Sequence, residues 1–150
     1  MYGLGGGKEK APLQQLVKEK ELCNVYFIDP IPKKEIQSML ALFDACYIGW
    51  LKDDLYRFGI GANKIPEYLY SAKPIIHGYS GACDPVADTK SGITIPAENP
   101  ELLAQAILQL ERMSINERVE MGANGRKTAL EQYEYGKLSS QLASVIWNGK

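Results

Sequence analysis

The sequence predicts an α/β fold, a Rossmann-like open parallel sheet flanked by helices. Two observations carry this. Short apolar runs alternate with amphipathic stretches along the chain. The runs are continuously apolar rather than alternating, which is the pattern of strands covered on both faces, as in a parallel sheet. The elements follow in order. Met1 to Lys8 reads as the end of a strand running into a glycine-rich turn, and the stretch carrying Leu13, Leu16 and Val17 reads as a helix. Val25 to Ile28 is the next strand, and Ile36, Met39, Leu40 and Phe43 share a helical face. Ala45 to Trp50 is a strand, followed by a loop and a short helix after Asn63. Pro74 to His77 and Gly92 to Ile95 complete the strands. Asn99-Pro100 starts a helix with Leu103, Ala106, Ile107 and Leu110 on one face, because Asn caps and Pro suits the first helical position. The rest, Ser114 to Trp147, reads as helical.

The 150 residues fit one domain, 1–150. Seventeen basic and eighteen acidic residues nearly cancel, which gives no broad basic face for nucleic acid. No apolar run reaches the roughly 18–20 residues needed to span a bilayer. Cys23, Cys46 and Cys83 form no CxxC pair, and with His77 as the single histidine they match no zinc spacing. Core packing is expected for all three, in a reduced, cytosolic setting.

Ligands of open parallel sheets sit beyond the carboxyl ends of the strands. Four loops lie there by topology: Gly5 to Lys8, Asp29 to Lys33, Leu51 to Asn63 and Gly78 to Ala82. The first fails as a P-loop, because Tyr2 and Glu9 stand where glycine and a hydroxyl belong. As a dinucleotide fingerprint it lacks the third glycine, although Asp29 stands where a ribose-binding acid would lie, so an NAD-dependent oxidoreductase is an alternative. A binding module with no catalysis is another.

The segment from Tyr56 to Pro74 is richer. Gly59 and Gly61 lead into a helix that Asn63 can cap, and Pro66 is tolerable in its first turn. Free amides there suit a diphosphate, Lys64 adds positive charge, and the Glu67 carboxylate can accept from two ribose hydroxyls. A plain surface helix with an acid in its first turn fits the same residues. His77 could act on substrate or simply bond its surroundings. Asp53-Asp54 reads as a solvated loop.

Phe58, Gly59, Ile60, Asn63, Lys64, Glu67, Tyr68, Lys73 and Pro74 together resemble the donor-binding signature of family-4 retaining glycosyltransferases of the GT-B fold. They are most similar to the bacterial polysaccharide subgroup. Asn24 to Ile28, Leu40 to Ala45, Ser91 to Pro100 and Met121 to Arg126 resemble further family segments in the same order. The resemblance implies that this is the C-terminal, donor-binding half of a two-domain enzyme, with the N-terminal acceptor domain absent and the fragment inactive by itself. It implies a nucleotide diphosphate sugar, with uridine as the nucleoside, as donor, and no metal or other cofactor. Hexosyl transfer to a polysaccharide or lipid-linked saccharide follows, in the cytoplasm, with any membrane contact made through the absent domain. By the same resemblance Glu67 holds the ribose. Ile60, Gly61, Ala62, Asn63, Lys64, Gly5 and Gly6 hold the diphosphate, and Pro30 and Ile31 meet the base. Arg57, Phe58 and Gly59 lie toward the donor sugar. Gly59 replaces the first acid of the family's paired motif, and the family's diphosphate Arg and Lys are not present. Arg57 or Lys64 could compensate. No residue is assigned as catalytic.

Overall fold

The computed structural model describes residues 1–148. The chain divides into two compact units, Met1–Ile36 and Gln37–Lys150. In the smaller one, strand β1 (Tyr2–Leu4) pairs in parallel with β2 (Tyr26–Ile28), Tyr2 opposite Tyr26. Their rings stack at 5.3 Å. The connecting helix α1 (Lys10–Glu19) keeps 48% of Leu13 and 43% of Leu16 exposed, so its expected apolar stripe is only partly covered. Two strands of three residues offer too little apolar area to bury a ten-residue helix.

The larger unit holds the core. Helix α2 (Ile36–Leu40) stops before Phe43, whose amide closes a turn on the Leu40 carbonyl. Three parallel strands follow in the order β3 (Cys46–Gly49), β4 (Ile75–Gly78), β5 (Gly92–Ile95). Among the described residues the strands form two all-parallel sheets, one of two strands and one of three, with helices between the strands, in keeping with the expected α/β class. All four residues of central β4 are buried, as its unbroken apolar run predicts. Ile76 packs with Ile95, Ala106 and Leu110, which places helix α5 (Pro100–Arg112) over one face. Ile75 and His77 point to the opposite face by strand alternation. Among the described residues, no helix is long and apolar enough to cross a membrane.

Helix starts follow local chemistry. The Asn99 carboxamide accepts from the Leu102 amide, and Pro100 takes the first helical position as expected. Helix α3 (Lys64–Tyr70) follows the β3 loop, and α4 (Pro85–Asp88) follows β4. The long α6 (Ile115–Gln132) opens with a capping box, Ser114 and Glu117 each satisfying the other's backbone. Helix α7 (Tyr135–Asn148) ends the described chain. Helix α6 lies against α3 at its buried glycines, Gly122 and Gly125. Of the cysteines only Cys46 is buried, and burial pushes its thiol up. Cys23 and Cys83 are exposed, against expectation. Both sit in connections outside the strands, where no facing element covers them.

Candidate functional site

The register Ile48–His77–Thr94 aligns the three strands of the larger unit, so the segments after Gly49, Gly78 and Ile95 all leave from one edge. The segment after β3 runs from Trp50 through a 3-10 turn (Asp54–Phe58) to α3. Asp53 is a cap here rather than a merely solvated residue, since its side chain accepts from the Leu55 amide. Arg57 lies over the Phe58 ring at 4.6 Å, and both are exposed.

Gly59 has φ 96° and ψ −178°. That region is essentially confined to glycine. A side chain at this position is strained, so the acid expected from the family motif does not fit this loop conformation.

Beyond Gly59 the backbone is open. Among the described residues, no group accepts from the amides of Ile60, Gly61, Ala62, Asn63 or Lys64. Asn63, Lys64 and Gly61 are exposed, while Ile60 and Ala62 are half-buried. The expected Asn63 cap is not formed. Asn63 is itself helical, at φ −58° and ψ −24°, and from there its side chain makes no capping bond. A true cap residue has extended backbone, which aims its side chain back at the first turn. The consequence is more open donors. Helix α3 has only seven residues, so these individual amides count for more than its dipole.

Pro66 falls in the first turn as expected. Glu67 follows, half-buried, and its carbonyl accepts from Gln37 Nε2 at 2.9 Å, which ties α3 to α2. Arg57, Phe58, Gly59, the Ile60–Lys64 amides and Glu67 thus all lie on one continuous stretch of the larger unit.

In the smaller unit, Gly5 has φ 147° and donates from its amide to the Ile28 carbonyl at 3.3 Å. A side-chain carbon added at Gly6 would stand 3.2 Å from Pro30 Cγ, so the glycine turn and Pro30 are neighbours. Ile31 follows, half-buried. Asp29, the acid on which a dinucleotide reading depends, is taken by Lys10 at 2.6 Å. That bond holds the Asp29 carboxyl below its ordinary value.

A network singled out only at His77 by sequence lies behind the loop. His77 has no exposed surface. The Trp50 indole N–H donates to His77 Nε2 at 2.9 Å, so that nitrogen carries a lone pair and Nδ1 carries the proton. Nδ1 then donates to Asp84 Oδ1 at 2.9 Å. The same oxygen accepts from the Val86 and Ala87 amides at 3.0 and 3.2 Å and caps α4. The start Asp84-Pro85 has the same form as Asn99-Pro100, and that is the sequence signal for it.

Burial by itself pushes the Asp84 carboxyl up. The bond from His77, the nearby buried Thr94 hydroxyl and the Ala87 amide outweigh it and hold the group at about 2. Thr94 Oγ1 adds to this pull without forming a complete hydrogen bond. Because the folded value lies below the ordinary 3.8, this stabilisation is present above pH 3.8 and lost as pH falls toward about 2. With 14% of the side chain exposed, solvent screening leaves about 1–2 kcal/mol of it. Acid titration of stability should therefore fall more steeply in this window for the wild type than for Asp84→Asn, which cannot titrate. Parallel curves would refute the assignment.

With this geometry established, likeness to known proteins is informative. The family of Glycosyl transferases group 1 matches residues 2–128. The chain belongs to this glycosyltransferase family. No curated protein sequence matches it. Among solved structures, sucrose-phosphate synthase from Thermosynechococcus elongatus is similar, with TM-score 0.80 and 17% identity. The similarity covers 97% of this chain and 37% of that one. Anabaena HepE in complex with UDP-glucose is similar with TM-score 0.76 and 15% identity, over 97% and 40% of the two chains. Likeness at this identity establishes the fold, the Rossmann-like half of a GT-B glycosyltransferase. The glycosyltransferase chain spans about two fifths of the length of these structures.

Proposed function

We propose that this chain binds a nucleotide diphosphate sugar with a uridine base, as the donor domain of a retaining family-4 glycosyltransferase of the bacterial polysaccharide subgroup. The observation that carries the reading is the run of unpaired amides from Ile60 to Lys64, which ends three residues before Glu67. A diphosphate presents several charged oxygens in a row, and consecutive amides with no protein acceptor match that demand. Lys64 adds positive charge beside them. In this reading no metal is needed.

The Glu67 carboxylate accepts from the two ribose hydroxyls, which is a natural fit for an acceptor-only group. Arg57, Phe58 and Gly59 lie toward the sugar, where the glycine leaves room that an acid would fill. In the smaller unit, Gly5 and Gly6 are assigned to the diphosphate, and Pro30 and Ile31 to the base. Transfer of a hexosyl group to a polysaccharide or lipid-linked saccharide, on the cytoplasmic side of a membrane, requires an acceptor-binding domain besides this one. The UDP-glucose held by HepE makes that compound a suitable first probe.

Calorimetric titration with UDP, UDP-glucose and NADH tests the reading. Saturable UDP binding is expected, with NADH weaker. Glu67→Ala should weaken UDP by about 1–3 kcal/mol, the range for removing a charged hydrogen-bond partner. Equal UDP affinity in mutant and wild type would remove Glu67 from the ribose. NADH binding tighter than UDP would replace the glycosyltransferase reading with an oxidoreductase one.

A further inference from the structure

His77 is the chain's single histidine and lies fully inside the protein, so it cannot touch a substrate. Its neighbours on β4, Ile75 and Ile76, are aliphatic, and an aliphatic residue would fill the same space. The ring does what an aliphatic could not. It joins the segment after β3 to the segment after β4 through two directed hydrogen bonds. Trp50 begins the first segment, and its ring stands edge-on to Tyr56 at 5.8 Å. The Tyr56 carbonyl accepts from the Ala82 amide at 3.0 Å and lies 3.2 Å from the Tyr79 hydroxyl, whose shorter bond is to the Ala82 carbonyl at 2.8 Å. Tyr79 in turn stacks on His77 at 4.8 Å. Both ends of the stretch from Trp50 to Tyr56 are therefore seated on one small group of side chains. Arg57, Phe58 and Gly59 come next in the chain.

We propose that His77 is a positioning residue for the segment Arg57–Gly59: held as the Nδ1–H tautomer by Asp84, it presents Nε2 as the acceptor that seats Trp50. The inference rests on the donor-site reading above for its consequence in binding. The direction of both bonds is forced, because an indole only donates and a carboxylate only accepts. Removing the acceptor leaves the Trp50 N–H without a partner and frees the loop to shift, which misplaces contacts to the sugar more than those to the nucleotide.

Three variants of the full chain separate positioning from packing. His77→Asn places its amide near the Nδ1 position, keeping a partner for Asp84 and losing the Trp50 acceptor. His77→Gln reaches the Nε2 position and keeps that acceptor. Trp50→Phe removes the donor and leaves the His77–Asp84 bond. Two readouts are taken, hydrogen–deuterium exchange of residues 51–59 and the affinity ratio of UDP-glucose to UDP. His77→Asn and Trp50→Phe should speed exchange there about 10-fold and lower the affinity ratio by about 3–10-fold, as for loss of one buried hydrogen bond. His77→Gln should stay near the wild type in both, whatever its melting temperature.

Equal behaviour of His77→Asn and His77→Gln would overturn the proposal and leave the ring a packing element. If the wild type binds neither probe, or binds both equally, the donor reading or the choice of sugar fails. Exchange then decides alone: faster exchange in His77→Asn and Trp50→Phe with protection kept in His77→Gln supports positioning, and uniform exchange overturns it.

Discussion

Gly122→Ala is expected to destabilise the chain by about 3 kcal/mol, the upper part of the range for overpacking a well-filled contact. A side-chain carbon at Gly122 would stand 2.0 Å from the Ala72 carbonyl oxygen. That atom belongs to the backbone and cannot rotate away. Ala72 has φ 57° and follows Ser71, the C-cap of α3, so its carbonyl is set by the turn that ends the helix. Relief therefore requires α6 to lift from α3, opening the contact around Leu69, which is fully buried. An opposing effect exists, since alanine favours an exposed helix interior over glycine by about 1 kcal/mol. The clash exceeds this gain.

Gly136→Ala is the milder comparison, because the nearest atom to its added carbon is the end of the Glu134 side chain, which can rotate even though it accepts from the Lys137 amide. It should cost no more than about 1 kcal/mol, the value of one cap contact. Urea unfolding of both variants gives the comparison, and a stabilised Gly122→Ala would show that α6 does not approach α3 this closely. On the proposed donor-site reading, the effect reaches binding through Glu67. Helix α3 carries that residue, so the Gly122 variant should also weaken UDP binding, whereas Gly136→Ala should not.

Sequence legibility followed the range of the interactions. The strand Gly92–Ile95 and the start of α5 at Asn99-Pro100 were readable because a run of apolar residues and a cap are local features. The four buried residues of β4 were readable from continuous apolarity. Asn63 shows the limit of residue type by itself. It has the composition of a cap, but the chain becomes helical one residue early, and that depends on how the Gly59 loop delivers it. Cys83 shows another limit, since exposure depends on which element faces a loop. Trp50 and His77 lie 27 residues apart, and only the pairing register of β3 with β4 brings them together. Sequence periodicity contains no trace of such a bond. The candidate segment from Arg57 to Glu67, by contrast, is contiguous and can be proposed from sequence as a unit, whereas the side chains that pack behind it cannot.

Asp84→Ala should cost about 2–4 kcal/mol, and the sum can be built from its parts. Losing a helix cap costs about 1 kcal/mol, here the bonds to the Val86 and Ala87 amides. A buried donor left without a partner costs a further 1–3 kcal/mol, here His77 Nδ1–H. Water cannot easily take the place of the carboxylate beside a ring with no exposed surface. Asp84→Asn keeps an acceptor oxygen in place for all three donors and should lose less than about 1.5 kcal/mol, the difference between charged and neutral acceptors. The two substitutions thus separate the hydrogen-bonding role from the charge. If Asp84→Ala and Asp84→Asn unfold at the same urea concentration, the carboxylate contributes through its charge by itself, and the tautomer of His77 is set by Trp50 without it. If Asp84→Ala alone collapses, the acceptor at this point is what holds α4, the central strand and the Trp50 loop in one arrangement. On the proposed donor-site reading, that arrangement is what presents the open amides of Ile60 to Lys64 to the diphosphate.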